Sequence, residues 1–113
     1  MSLSGETYSV DFDEDEAVLT LTGTMRLSTR EYLAIKDFMI EAIGQAEEQL
    51  SLDLTRLEFM NSSGINTLYQ VAMALRKRED LAVRVLGDKA VGWQAKSLAN
   101  FRRFAPSSEL EWV

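Results

Sequence analysis

Tyr8, Val10 and Phe12 alternate with Ser9 and Asp11, which predicts a half-buried strand. Asp13 to Glu16 reads as a turn, and Ala17 to Thr22 as a second strand pairing back in an antiparallel hairpin that Gly23 ends. The period then changes. Tyr32, Ile35, Phe38, Met39, Ala42, Ile43 and Ala46 recur at helical spacing behind the capping box Ser28-Thr29-Arg30-Glu31, predicting a helix from about Thr29 to Glu47. Leu50 to Leu54 is a short strand, followed by a connection that carries Leu57 and Phe59. Ile65, Leu68, Tyr69, Ala72 and Leu75 mark a second helix, opened by Ser62 or Ser63 and closed by Arg76-Lys77-Arg78 at its negative end. Leu81 to Leu86 is a third core strand, and Gly87-Asp88 turns the chain, with Asp88 placed to cap the next helix. That last helix is predicted from about Ala90 to Phe104, with Val91, Ala95, Leu98 and Phe101 inward. Pro106-Ser107-Ser108 stops it, and Leu110 to Val113 adds an edge strand.

The predicted order is β-β-α-β-α-β-α-β. Strands alternating with helices imply parallel pairing through right-handed crossovers, and the first hairpin makes the sheet mixed. The fold class is therefore α/β, one domain over residues 1–113, a mixed sheet with packed helices. A length of 113 residues leaves no room for a second domain.

Composition narrows the chemistry. The net charge of -6 repels polyphosphate and acidic lipid, so neither nucleic acid nor a membrane is an expected partner. The chain has no histidine, hence no Ser-His-Asp machinery, and no cysteine, hence no disulfide, thiolate metal site or thiol nucleophile. MSLSGETYSV lacks the basic and apolar regions of a secretory signal, and no apolar run approaches the ~20 residues of a membrane span. A cytoplasmic location is the expectation.

Asp11, Asp13 and Asp15 match the start of a calcium loop, but Glu16 and Thr22 occupy the places of its glycine and terminal glutamate, so a solvated turn is expected. Gly87-Asp88-Lys89 lacks the upstream glycine of a phosphate loop. No metal or other cofactor is implied. Trp93, beside Gln94 and Lys96, is a candidate contact residue, since tryptophan is enriched at interfaces. Met73 falls off the apolar stripe of its helix. Gly64 follows Ser62 at half the spacing of a nucleophile elbow, but Met60 replaces the other glycine, which argues against a serine hydrolase.

The informative run is Leu50 to Lys77. Leu52-Asp53-Leu54, then Leu57 and Phe59, then Ser62-Ser63-Gly64-Ile65 form a strand–loop–helix unit. This run resembles the signature of STAS domains and, within them, of bacterial anti-sigma factor antagonists. Element order and length agree over nearly the whole chain, while the specific match covers about Leu50 to Leu75. The resemblance implies a non-enzymatic binding module that sequesters its partner while Ser62 is unphosphorylated. Its implied partners are a serine kinase of the anti-sigma factor type and a metal-dependent serine phosphatase. The implied switch loop is Asn61, Ser63 and Gly64 around the acceptor Ser62, and Asn66, Thr67, Gln70 and Met73 on the following helix, with Trp93, are expected to contact the partner.

A serine at a helix N-terminus suits this role, because spare N–H groups and the helix dipole tolerate an added anion. One departure stands out. Asn61 occupies the place where most of these antagonists carry aspartate, and with the Trp93-Gln94 step it marks a divergent branch. This leaves two alternatives: a scaffold without phosphorylation, or a regulator of another output protein such as a diguanylate cyclase.

Overall fold

The structure, a computed structural model, describes residues 1–113. Its strands are β1 (Ser2–Ser4), β2 (Tyr8–Asp13), β3 (Val18–Met25), β4 (Gln49–Met60), β5 (Ala82–Gly87) and β6 (Glu109–Trp112). Its helices are α1 (Thr29–Gln45), α2 (Ser62–Arg76) and α3 (Gln94–Phe104). The predicted α/β order is present, with the short strand β1 added at the N-terminus. The six strands lie in the order β1-β2-β3-β4-β5-β6. β1, β2 and β3 pair antiparallel, and β3 through β6 pair parallel.

Each crossover from β3 onward steps to the next strand in the same direction. Right-handed crossovers that all step one way put α1, α2 and α3 on one face of the sheet. The inward residues of that face, among them Val10, Leu19, Leu21, Leu52 and Val85, are buried against the helices. The opposite face is polar, with Asp11, Thr20, Asp53, Arg84 and Glu111 among its residues. Arg84 and Glu111 form an ion pair there at 2.5 Å.

β4 is longer than its alternation predicts. It continues through Leu57 and Phe59 to Met60, where a connection was expected after Leu54. The reason lies in its pairing with β3, where the register slips between Thr20 and Thr22 and again between Gly23 and Thr24. Each slip adds a residue on β4 and breaks the period of two, so the buried positions run Leu50, Leu52, Leu54 and then Leu57 and Met60. Asp53 supports the first bulge, its Oδ1 accepting from the Thr55 amide at 2.9 Å and the Thr55 hydroxyl at 2.6 Å. Gly23, expected to end β3, instead carries it onward with φ of 98°. A side chain at Gly23 would collide with the Thr7 carbonyl oxygen.

β4 also outruns β5, which pairs with it only from Gln49 to Asp53. Beyond that point Trp93 and Gln94 serve the bare edge. Gln94 Nε2 donates to the carbonyls of Leu54 at 2.7 Å and Leu57 at 3.0 Å, while its Oε1 accepts from the Asp88 amide at 2.8 Å. Trp93 Nε1 donates to the Glu58 carbonyl at 3.0 Å. This sets the phase of α3. The helix begins at Gln94 rather than Ala90, Gln94 is fully buried, and Ala95 points to solvent. Asp88 does not cap α3; its Oδ1 accepts from the Ala90 amide in the preceding turn.

At the far end of the helices, Arg78 joins α1 to the turn after α2. Its guanidinium donates to the carbonyls of Ile43 at 2.7 Å and Ala46 at 2.8 Å, at the C-terminal end of α1, and it also grips Asp80. That contact holds the Asp80 carboxyl below the usual carboxylate range.

Candidate functional site

The β4–α2 junction is built from a cap, a glycine and a phenol. Asn61 is the N-cap of α2, extended at φ -75° and ψ 175°, and its Oδ1 accepts from the Gly64 amide at 3.2 Å. Its Nδ2 donates to the Leu27 carbonyl at 3.1 Å. Tyr32, on the first turns of α1, places its hydroxyl 2.5 Å from Asn61 Oδ1 and 3.0 Å from the Met25 carbonyl. The amide of Asn61 thus both accepts and donates, and a carboxylate could not make the bond to Leu27. This is the local physical meaning of asparagine at that position.

Gly64 is buried beneath Tyr32. A Cβ there would lie 2.5 Å from the Tyr32 hydroxyl oxygen and would collide with the Met60 side chain. The glycine is required for close approach rather than for an unusual backbone angle. Burial pushes the Tyr32 hydroxyl above its ordinary pKa of 10.0, with nearby backbone groups pulling more weakly the other way.

This platform presents Ser62 and Ser63, the first two residues of α2, both exposed. The side-chain cap comes from Asn61, so neither serine hydroxyl is spent on it. Of the first amides of α2, Gly64 donates to the Asn61 side chain and Ile65 to the Asn61 carbonyl.

Beside the serines runs a groove of about 210 Å³ between α1 and α2. α1 supplies Thr29, Tyr32, Leu33 and Lys36, and α2 supplies Ser63, Asn66, Thr67 and Gln70. Asn66 and Gln70 are on its rim. Thr67 lies deeper, 7% exposed, with its hydroxyl donating to the Ser63 carbonyl at 2.9 Å. Lys36 Nζ donates to Gln70 Oε1 at 3.1 Å across the groove. Met73 stands exposed further along α2.

Of the residues singled out in the sequence, Asn61, Ser62, Ser63, Gly64, Asn66, Thr67, Gln70 and Met73 thus share α2 and its cap. Trp93 does not line the groove; it is half-buried on the β4 edge. The sequence gives no signal for Thr29, Leu33 and Lys36, which reach the site only because α1 packs against α2. Tyr32 was legible as a core position, but its hydroxyl bond to Asn61 was not.

An α/β sheet with helices on one face and an exposed, capped helix start beside an interhelical groove defines a binding domain. The chain matches the family described as "Mlab, STAS domain" over residues 8–101, and it belongs to that family of STAS domains. No curated protein matches it. Solved structures share the fold. A chain in the complex of the diguanylate cyclase SiaD with its activator SiaC from Pseudomonas aeruginosa matches with a TM-score of 0.72 at 17% identity, over 100% of this chain and 99% of that one. Apo-SiaC from the same organism matches with a TM-score of 0.74 at 17% identity, over 99% and 96%. A further SiaC structure matches with a TM-score of 0.67 at 18% identity, over 98% and 94%.

These matches correct the partners expected from the serine motif, an anti-sigma-type serine kinase and a metal-dependent phosphatase. The protein bound to the activator in that solved complex is a diguanylate cyclase. The physical reason is plain in the site. Asn61 and Gly64 are demanded by the helix cap and by the Tyr32 contact, so the motif reports the architecture of the junction rather than who binds it.

No group of three or more acidic side chains converges as a metal site. No helix is long and apolar enough to cross a membrane. Ser62 has no imidazole to activate it, since the chain lacks histidine. The family match makes this a STAS-type regulatory module.

Proposed function

We propose that the protein is a docking regulator that binds an output protein of the diguanylate cyclase class through the start of α2 and alters its activity, with Ser62 as the switch. The observation that carries this reading is the exposed Ser62-Ser63 step, held on the Tyr32–Asn61–Gly64 platform beside an open groove. The shared fold with SiaC supports the class of partner. A phosphate on Ser62 would add about -1.5 to -2 charges at the centre of that surface, enough to reverse docking by desolvation and repulsion.

The test is to titrate this chain into each diguanylate cyclase encoded in its own genome and follow cyclic diguanylate formation from GTP. A saturable change in rate with one cyclase, absent when Ser62 and Asn66 are both replaced by Arg, supports the proposal. No change with any of them refutes it.

The reading as an anti-sigma factor antagonist has less behind it. It rests on the run from Leu50 to Leu75 with the element order, and within that run Asn61 stands where that family's aspartate does. A constitutive form of the same module, unmodified at Ser62, is the second reading, favoured because Asn61 uses its oxygen on Gly64 and Tyr32 and its nitrogen on Leu27.

A further inference from the structure

Five large apolar side chains are exposed: Met1, Leu33, Ile40, Met73 and Val113. Met1 and Val113 are the chain ends. The other three stand on α1 and α2, the two helices that form the groove. The Lys36–Gln70 bond marks where the two helices come level. One turn beyond it, Ile40 on α1 comes level with Met73 on α2, while Leu33 lines the groove on the other side. Leu33 and Ile40 are two turns apart, on one stripe of α1. Clustered exposed apolar groups with a polar rim mark a contact surface.

The charge is equally one-sided. The groove lining includes Lys36 and no carboxylate. Lys36 meets only the neutral amide of Gln70, and the protein's two ion pairs, Arg78–Asp80 and Arg84–Glu111, lie elsewhere. Lys36 makes no ion pair, and the exposed Asp37 and Glu41 of α1 stand outside the groove lining. α1 and α2 both run back against parallel strands, so their positive N-terminal ends lie at the same end of the groove.

From this we infer that the groove receives an acidic amphipathic helix of the partner protein. Its apolar residues, two turns apart, rest on Leu33 and Ile40, and a carboxylate takes Lys36 from Gln70. A third helix laid on two others at about 8–10 Å is ordinary helix packing, and helix-in-groove recognition reads such spaced anchors. The inference rests on the docking function proposed above and specifies the element that docks.

The experiment is photo-crosslinking in the native host with p-benzoylphenylalanine placed, one at a time, at Leu33, Ile40 or Ser62 of the full chain, read by mass spectrometry of the joined peptides. The expected result is that Leu33 and Ile40 label one net-acidic segment of one partner, at residues about two helical turns apart. Lys36→Glu then lowers both yields about tenfold, and Lys36→Arg preserves them. Labels on a basic or extended segment, or on a second copy of this chain, overturn the inference. So does labelling from Ser62 alone, which leaves the docking function standing. Silence at all three positions removes both.

Discussion

The Tyr32 hydroxyl sits 2.5 Å from Asn61 Oδ1, so a buried phenol on α1 holds the cap of α2. The two helices that form the groove are therefore locked together at the point where the exposed serines emerge. Asn61, Gly64 and Tyr32 pack directly on one another at the root of that surface.

Asn61→Asp tests the double use of the amide. Aspartate keeps the acceptor for Gly64 but faces the Leu27 carbonyl with a second oxygen. The lost and repelled bond costs ~1–3 kcal/mol, against a gain of ~0.3–1 kcal/mol from a charge at the helix start. Urea unfolding at pH 7 is expected to show a net loss of about 1 kcal/mol. Asn61→Ala, which loses the cap as well, is expected to lose more. An Asn61→Asp variant as stable as the parent shows that the Leu27 bond contributes nothing.

Gly64→Ala inverts the usual rule. In an exposed helix interior this change gains up to ~1 kcal/mol. Here the new methyl meets Tyr32 and Met60. The expected outcome is a loss of ~1–3 kcal/mol by overpacking, partly restored by adding Met60→Ala. Thermal melts of the single and double variants decide it.

Gln94→Leu fills the same space without the amide. The Leu54 and Leu57 carbonyls and the Asp88 amide then lose their partner. At ~1–3 kcal/mol per stranded buried group, discounted for relaxation, a loss of about 3 kcal/mol is expected. Hydrogen exchange is expected to quicken along β4 between Leu54 and Met60, just before the start of α2. Unchanged exchange there shows that the bulged half of β4 holds without it.

Alkaline pH probes Tyr32. Its folded pKa is raised by burial, so the folded state keeps the proton that the unfolded state loses above about pH 10. The stability from the neutral phenol is fully present below that value and is lost as pH rises through the folded one. The parent is expected to lose stability more steeply than Tyr32→Phe between about pH 10 and the alkaline unfolding limit. Parallel curves for the two proteins contradict this.

The fold was readable because burial on one face writes itself into the sequence as period and punctuation. The Ser28–Glu31 capping box, the stripe from Tyr32 to Ile43 and the Asn61-Ser62 start of α2 all appear where their residues direct. The misses have a common cause. The β4 bulges break the alternation, so Leu57 and Phe59 read as a connection. Gln94 was hidden because a buried amide has no signal until the strand edge that it serves is known. Half of the groove was invisible for the same reason, since Leu33 and Lys36 are ordinary surface residues of α1 until α2 lies beside them. The serine motif was legible as a helix start, but partner identity is not written in residues that the cap itself requires.

The most direct test is the affinity of any cyclase found by the proposed titration to respond to this chain for three forms of it: the parent, Ser62→Ala and Ser62→Asp, measured by calorimetry. A charge-operated switch predicts that Ser62→Ala binds within about twofold of the parent, while Ser62→Asp weakens binding about tenfold or more, about 1.4 kcal/mol. Equal affinities for all three contradict such a switch at the start of α2.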